Sequence, residues 1–73
     1  MSGLIGSVKP RVCIEKLKRA GYLIDHQTGS HVILRNETGR RLVVPFHAKD
    51  MKRGLLLSII KEAGLSIREF QTL

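Results

Sequence analysis

The sequence predicts a small α+β domain with the order helix, three antiparallel strands, helix and a short C-terminal helical turn. The 73 residues suffice for one small domain. Apolar residues recur at helical spacing near both ends of the chain, whereas the middle alternates short β-forming segments with turn residues. Because each helix presents one apolar stripe, we expect both to cover the same face of a three-stranded sheet, in two layers, and to leave the other face open.

The first helix is predicted from about residue 8 to residue 20, within one domain spanning residues 7–73. Ser7 can cap its start, and Pro10 is tolerated in the first turn, where its missing N–H would have no partner. Gly21 suits a left-handed stop, and residues 1–6 are expected to form a flexible lead-in. The buried stripe is expected from Cys13, Ile14, Leu17 and Ala20. The basic residues Lys16, Lys18 and Arg19 are expected mainly to solubilise the helix.

Three strands are predicted in the middle of the chain. Their segments are YLIDHQ (22–27), SHVILR (30–35) and RRLVVP (40–45), all short and rich in β-forming residues. The loop NETG, residues 36–39, is typical of a hairpin in which Gly39 takes a positive φ after a type I turn. Pro45 ends the third strand because it cannot donate to a ladder.

The alternation along these strands divides their side chains between two faces. The core face is expected to carry Val32, Leu34, Leu42 and Val44. The open face is expected to carry His31, Ile33, Arg35, Arg41 and Val43. His26 shares the parity of Tyr22 and Ile24, which predicts a structural role at the sheet edge.

A second helix is predicted within LLLSIIKEAG, residues 55–64. Its buried positions are expected to be Leu56, Ile59, Ile60 and Ala63. Gly64 followed by Leu65 resembles a Schellman close. The segment SIRE, residues 66–69, fits a capping box that opens one last turn, with Ile67 and Phe70 available to pack.

Charge is the strongest global feature of the sequence. Thirteen Lys and Arg oppose six Asp and Glu, which gives a net charge of +7. Such a surface attracts phosphate polymers, anionic membranes and acidic proteins. No apolar run approaches the length of a bilayer span, and the start MSGLIGSVKP lacks the features of a secretory signal. A single Cys13 allows neither an intramolecular disulfide nor a cysteine metal cluster, so a reducing, cytoplasmic setting is expected.

The segment QTGSH, residues 27–31, places a titratable ring where a strand is predicted to begin. Gly29 and Ser30 form the end of a turn and frame His31. From the pattern alone, His31 is either an exposed strand histidine without a role or the main chemical group of the molecule. The aromatic residues Tyr22, Phe46 and Phe70 are too few to favour a base-stacking platform.

Four segments in this order and spacing resemble the HicA toxin family of mRNA interferases. They are LKRAGY (17–22), GSH (29–31), GRRLVVPFH (39–47) and the RG at 53–54 before a helix ending IKEAGLS (60–66). The resemblance extends from about Ser7 to Phe70 and implies a double-stranded-RNA-binding-domain-like fold. It also implies an endoribonuclease that cleaves mRNA and arrests growth, and a HicB-type antitoxin that covers the active face. One position departs from the family's pattern: Leu55 follows Gly54, where the family often has threonine.

The resemblance further implies that His31, in the Gly-Ser-His element, is the catalytic histidine. A ribonuclease needs a base for the 2′-OH, an acid for the leaving 5′-oxygen and positive charge around the phosphate. Histidine suits proton transfer because both of its forms are available near neutral pH. Arg35 and Arg41 are candidates for holding the scissile phosphate. This chemistry needs neither a metal nor a small-molecule cofactor, and the sequence contains no carboxylate cluster that predicts a metal site.

Other residues are further candidates for contact with RNA. His47 is a candidate second acid or base, or a phosphate ligand, although an ordinary loop histidine fits the same pattern. The basic residues Lys49, Lys52 and Arg53 precede the second helix, where exposed amides and the helix dipole favour phosphate. A solvated surface explains that run of charge equally well.

The sequence thus leaves three functions to distinguish. The first is an mRNA-cleaving toxin that uses a single histidine as general acid and base. The second is a catalytically silent RNA-binding module with the same fold, and the third is a domain that docks on an acidic protein. The Gly-Ser-His element favours the enzyme, because a pure binder needs charge at that position and not a titratable ring.

Overall fold

The computed structural model describes residues 7–46 and 49–73 of the chain. Its elements are α1 (Pro10–Arg19), β1 (Leu23–Thr28), β2 (His31–Arg35), β3 (Arg41–Pro45), α2 (Arg53–Glu62) and α3 (Ile67–Gln71). The strands form one antiparallel sheet in the order β1-β2-β3. The α+β fold and the order of its elements are therefore as predicted, and the expected lead-in of residues 1–6 lies outside the described residues. No helix within the described ranges is long and apolar enough to cross a membrane.

The core lies between the helices and one face of the sheet. Its members from the sheet are Val32, Leu34, Leu42 and Val44, which are the residues that strand parity predicts. The helices contribute Cys13, Ile14, Leu17, Leu56, Ile59, Ile60, Ala63 and Phe70. Since both major helices pack on the same face, the predicted two-layer arrangement is confirmed. Burial raises the pKa of the Cys13 thiol to about 11, so this residue behaves as a small apolar group.

The start of α1 differs from the prediction. Its N-cap is Lys9, which makes no side-chain capping hydrogen bond, so the expected cap by Ser7 is wrong. The Ser7 hydroxyl instead donates to Oδ2 of Asp50 at 3.3 Å, and an antiparallel bridge joins Val8 to Met51. The segment before α1 is therefore tied to the segment before α2.

Side chains of Tyr22, between α1 and β1, and of Arg40, just before β3, satisfy carbonyls at the end of α2. The buried Tyr22 hydroxyl donates to the carbonyl of Ala63 at 3.1 Å, and Nη1 of Arg40 donates to the carbonyl of Glu62 at 2.9 Å. Gly64 then ends the helix with φ +77°. The positive φ favours glycine there, and a Cβ at that position would lie 2.9 Å from Arg40 Nη1, so a larger residue would also displace the Arg40 guanidinium.

The C-terminal turn packs against α1. Ser66 and Glu69 form the predicted capping box, and Phe70 is fully buried. Nζ of Lys16 lies 5.4 Å from the centre of the Phe70 ring and donates to the carbonyls of Phe70, Gln71 and Leu73 at 3.2–3.4 Å. Lys16 was expected mainly to aid solubility, whereas its ammonium group holds α3 against the domain.

A β-bulge at Asp25 changes the register between β1 and β2. Ile24 lies opposite Leu34, but His26 lies opposite Ile33 because Asp25 has no partner of its own. Leu34 belongs to the core and Ile33 lies on the other face, so Ile24 and His26 point to different faces. The predicted shared parity of these two residues is therefore wrong, and His26 is a residue of the open face.

We expect Tyr22→Phe to lower the free energy of unfolding by about 1–2 kcal/mol, because the buried Ala63 carbonyl loses its donor while the ring still fills its site. Urea unfolding at neutral pH measures the change. Ser58→Ala is the matched control, since it removes an exposed hydroxyl bond to the Leu55 carbonyl, and we expect it to change stability by no more than about 0.5 kcal/mol. Equal effects of both substitutions would contradict this account of how α2 ends.

Candidate active site on the open face of the sheet

The face of the sheet opposite the core, called the open face below, carries three rows of side chains. Across β1, β2 and β3, the rows are Thr28–His31–Pro45, His26–Ile33–Val43 and Leu23–Arg35–Arg41. No helix of the described chain packs on this face: the helices join the core cluster, to which Ile33 does not belong. The open face therefore combines polar side chains with a small apolar centre.

His31 occupies the first position of β2 and is exposed. The turn before it is held from two sides: Nε2 of Gln27 donates to the Gly29 carbonyl at 3.1 Å, and the amide of Phe46 donates to the Ser30 carbonyl. Gly29 has φ +56°, a left-handed conformation that costs other residues about 1–2 kcal/mol. The Gly29-Ser30 turn thus fixes the point at which His31 enters the central strand.

Ile33 forms the apolar centre of the open face. It is only 3% exposed although it faces away from the core, whereas its β3 neighbour Val43 is 39% exposed. Its nearest described neighbours on this face are His26 and Val43 in its own row, with His31 and Arg35 in the adjacent rows. Ile33 is therefore a nearly inaccessible apolar residue in the middle row, between the row of His31 and the row of the two arginines.

Asp25 links two basic side chains of the open face. Nδ1 of His26 donates to Oδ2 of Asp25 at 2.6 Å, and Nε of Arg35 lies 3.6 Å from the same oxygen. The hydrogen bond from His26 is the largest cause that lowers the pKa of Asp25, and the charge of Arg35 adds to it. The side chains of His26 and Asp25 are 51% and 41% exposed, so the pair contributes little to stability.

The two arginines of the predicted site lie opposite each other in the third row. Each therefore lies four positions along its strand from the row of His31, which corresponds to roughly 13 Å along the sheet. Arg35 is also held by Asp25. His31, Arg35 and Arg41 share the open face as predicted, but the sheet does not bring the arginines beside His31.

The basic residues before α2 lie beyond the end of β3. Lys49, Lys52 and Arg53 are exposed; Lys52 is the N-cap of α2, and its first turn contains no acidic residue. The chain leaves β3 at Pro45, the residue opposite His31, so this segment starts from the same end of the sheet as the candidate histidine. His47 falls in this connection and lies outside the described residues. Leu55, in place of the threonine that the resemblance implies, is 40% exposed.

Sequence reasoning missed Asp25 and the orientation of His26. A strand segment with adjacent Asp and His is the only local signal, and it does not by itself reveal a bulge. Within residues 7–46 and 49–73, no group of three or more His, Cys, Asp or Glu side chains is placed to hold a metal ion. The polar groups of the described open face are therefore imidazole, guanidinium, the Thr28 hydroxyl and one carboxylate.

Comparison with known protein families identifies the family to which the chain is similar. A family model described as the HicA toxin of bacterial toxin–antitoxin systems matches residues 11–65, which is more than half of the chain. The matched segment runs from α1 to just beyond α2 and includes the Gly29-Ser30-His31 turn. No curated protein matches the chain.

We expect His26→Ala to raise the pKa of Asp25 toward its ordinary value, because the hydrogen bond from His26 is the main cause of the lowering. Arg35→Ala should raise it by less. Carboxylate carbon NMR during a pH titration measures both changes, and Lys9→Ala, beside Asp50, is a control that should leave Asp25 unaffected.

The lowered pKa of Asp25 also determines how the stability of the fold depends on pH. A carboxyl whose pKa is lower in the folded state stabilises the fold above the unfolded-state value of about 3.9, and this contribution disappears as the pH falls through the folded-state pKa. We therefore expect His26→Ala to reduce the loss of stability on acidification. A larger effect of Arg35→Ala than of His26→Ala would contradict the assignment.

Proposed function

The chain belongs to the HicA toxin family of bacterial toxin–antitoxin systems, and from this we propose that it is an mRNA-cleaving endoribonuclease in which His31 transfers protons as general acid and base. One observation carries the proposal: an exposed histidine opens the central strand on a face that no described helix covers, in a chain with a net charge of +7. A fixed Gly-Ser turn frames it on one side. The proposed reaction requires no metal and no cofactor.

RNA supplies its own nucleophile, so the protein need only move protons and stabilise charge. In the proposed step, an imidazole takes the proton of the 2′-OH, the 2′-oxygen attacks phosphorus and the bond to the 5′-oxygen breaks. The products are a 2′,3′-cyclic phosphate and a 5′-hydroxyl. Imidazole suits this step because its pKa lies near neutral pH in water, and a positioned acid or base contributes about 10² to 10⁴ in rate.

The basic side chains are proposed to hold the strand on both sides of the reacting phosphate. Arg35 and Arg41, in the third row, fit a phosphate farther along the RNA and not the scissile one, because roughly 13 Å of sheet separates them from His31. Lys49, Lys52 and Arg53 extend the positive surface from the His31 end toward the start of α2. Such extended contacts to the RNA backbone would supply affinity.

A HicB-type antitoxin is the proposed protein partner. The open face carries the proposed chemistry, and it is not covered by any described helix. Exposed Leu23 and Val43 lie beside its polar residues, so a protein could bury apolar area there while its acidic groups pair with the arginines. Such a partner would block RNA by occupying the same face.

We expect His31→Ala to cleave a labelled mRNA about 10² to 10⁴ times more slowly than the wild type in buffer with EDTA, because the proton acceptor is lost. Its RNA affinity, measured in parallel by filter binding, should change little. Lys18→Ala, a substitution on the exposed side of α1, is the control. Purified in the same way, it should cleave the mRNA at the wild-type rate.

The possible results separate the functions. Loss of cleavage with retained binding supports His31 as the catalytic group. Binding without cleavage by the wild type would support a silent RNA-binding module instead. Cleavage by His31→Ala at the wild-type rate would exclude His31, and cleavage that stops in EDTA would contradict the metal-independent mechanism.

We expect the triple substitution Lys49→Ala, Lys52→Ala and Arg53→Ala to weaken RNA binding on every sequence tested, because these residues would contact phosphates. The slope of log affinity against log salt should fall by about 0.7 for each phosphate contact removed. A triple variant that removes the same charge elsewhere, Lys18→Ala, Lys61→Ala and Arg68→Ala, should retain most of the slope. Equal losses in the two variants would mean that net charge alone drives binding.

A further inference from the structure

We infer that His26 is a second catalytic histidine, which protonates the leaving 5′-oxygen while His31 accepts the proton of the 2′-OH. This inference rests on the proposed ribonuclease function and assigns the acid that the function leaves open. Three features of the described chain support it: the bulge at Asp25, the diagonal placement of the two histidines and the hydrogen bond between Asp25 and His26.

The bulge places His26 on the same face as His31. Without it, His26 would share the face of Ile24, which lies opposite the core residue Leu34. With it, His26 lies opposite Ile33 on the open face. Bulges occur often beside active sites, where they redirect a side chain, and here the redirected side chain is an imidazole.

The register makes the two histidines diagonal neighbours. His31 pairs directly with Thr28, and His26 precedes Thr28 by two residues on β1. Diagonal positions on adjacent strands lie roughly 7–8 Å apart, and both side chains stand on one face. Two imidazole rings at this separation can contact a phosphate that lies between them, one at the 2′-oxygen and the other at the 5′-oxygen. His26 is in this respect nearer to His31 than either arginine.

Asp25 distinguishes the roles of the two rings. Its carboxylate accepts from Nδ1 of His26 at 2.6 Å, so Nε2 of His26 is the nitrogen that can face a substrate. A carboxylate bound to one ring nitrogen fixes the orientation in which the other nitrogen can deliver a proton. Asp25 contacts His26 and Arg35, so His26 is the ring that this carboxylate positions.

A purely structural role explains the Asp25–His26 pair less well. Both side chains are about half exposed, and an exposed ion pair contributes little to stability. A carboxylate that orients an imidazole toward an open polar face matches the arrangement of a general acid and its positioning residue.

The proposed step balances in protons and bonds. His31 gains the proton of the 2′-OH as the bond between the 2′-oxygen and phosphorus forms. The bond from phosphorus to the 5′-oxygen breaks, and Nε2 of protonated His26 gives its proton to that oxygen. The enzyme ends with His31 protonated and His26 neutral, and exchange with water restores the starting state.

An RNA with sulfur in place of the bridging 5′-oxygen tests the assignment, because a thiolate leaves without protonation. The wild type first defines a cleavage site in a model RNA, and substrates with oxygen or sulfur at that site are then compared. We expect His26→Ala and His26→Gln to cleave the oxygen substrate about 10² to 10⁴ times more slowly but to cleave the sulfur substrate at nearly the wild-type rate. His31→Ala should be slow on both substrates.

Asp25→Asn adds an independent measurement. Because Asp25 is a positioning residue, this substitution should slow cleavage of the oxygen substrate alone, and by less than the loss of His26 does. Arg35→Ala removes the other basic partner of Asp25 and is compared on the same two substrates.

Each alternative result has a distinct meaning. Equal slowing of both substrates by His26→Ala, with circular dichroism like that of the wild type, would overturn the assignment of His26 as the acid. Cleavage of the oxygen substrate by His26→Ala at the wild-type rate would overturn this assignment as well. A wild-type protein that cleaves neither substrate would instead overturn the ribonuclease function itself, and the assignment with it.

Discussion

The register of the central strand is the constraint on which both the core and the candidate site depend. β2 sends Val32 and Leu34 to the helices and His31 and Ile33 to the open face, so a shift by one residue would exchange the two sets. The hairpin turns oppose such a shift. Gly29 takes φ +56° before the strand and Gly39 takes φ +88° after it, which fixes β2 at both ends. The same pairing that stabilises the core therefore also places the proposed chemistry.

The fold could be predicted from the sequence because its signals are local. Helical spacing identified Leu56 and Ile60 as core residues, and strand alternation identified Val32 and Leu34. The glycines after α1 and α2 indicated where those two helices end. Each of these features is decided by residues within one or two turns of one another. The prediction for Ser7 was wrong for the opposite reason: its partner, Asp50, lies 43 residues away, and a cap is only one of the bonds open to a serine.

The candidate site could be predicted only in part. The Gly-Ser-His element indicated His31, and strand parity indicated that Arg35 and Arg41 share its face. Their separation from His31 depends on the register, which no single strand segment specifies. His26 was assigned to the wrong face because a bulge moves every residue after it to the opposite face, and the segment LIDHQT is compatible with either arrangement. Polar residues on an edge strand carry no strong parity signal, so the sequence did not locate the bulge.

The separation of core and open face also determines which mutations the protein can accumulate. Residues that hold the domain together face the helices, whereas the polar residues of the open face contribute little to stability. A genetic selection for cells that survive expression of this toxin should therefore yield two kinds of variant. One kind would be unfolded and degraded, with changes in residues such as Leu34 or Leu56. The other would be abundant and folded, with changes on the open face.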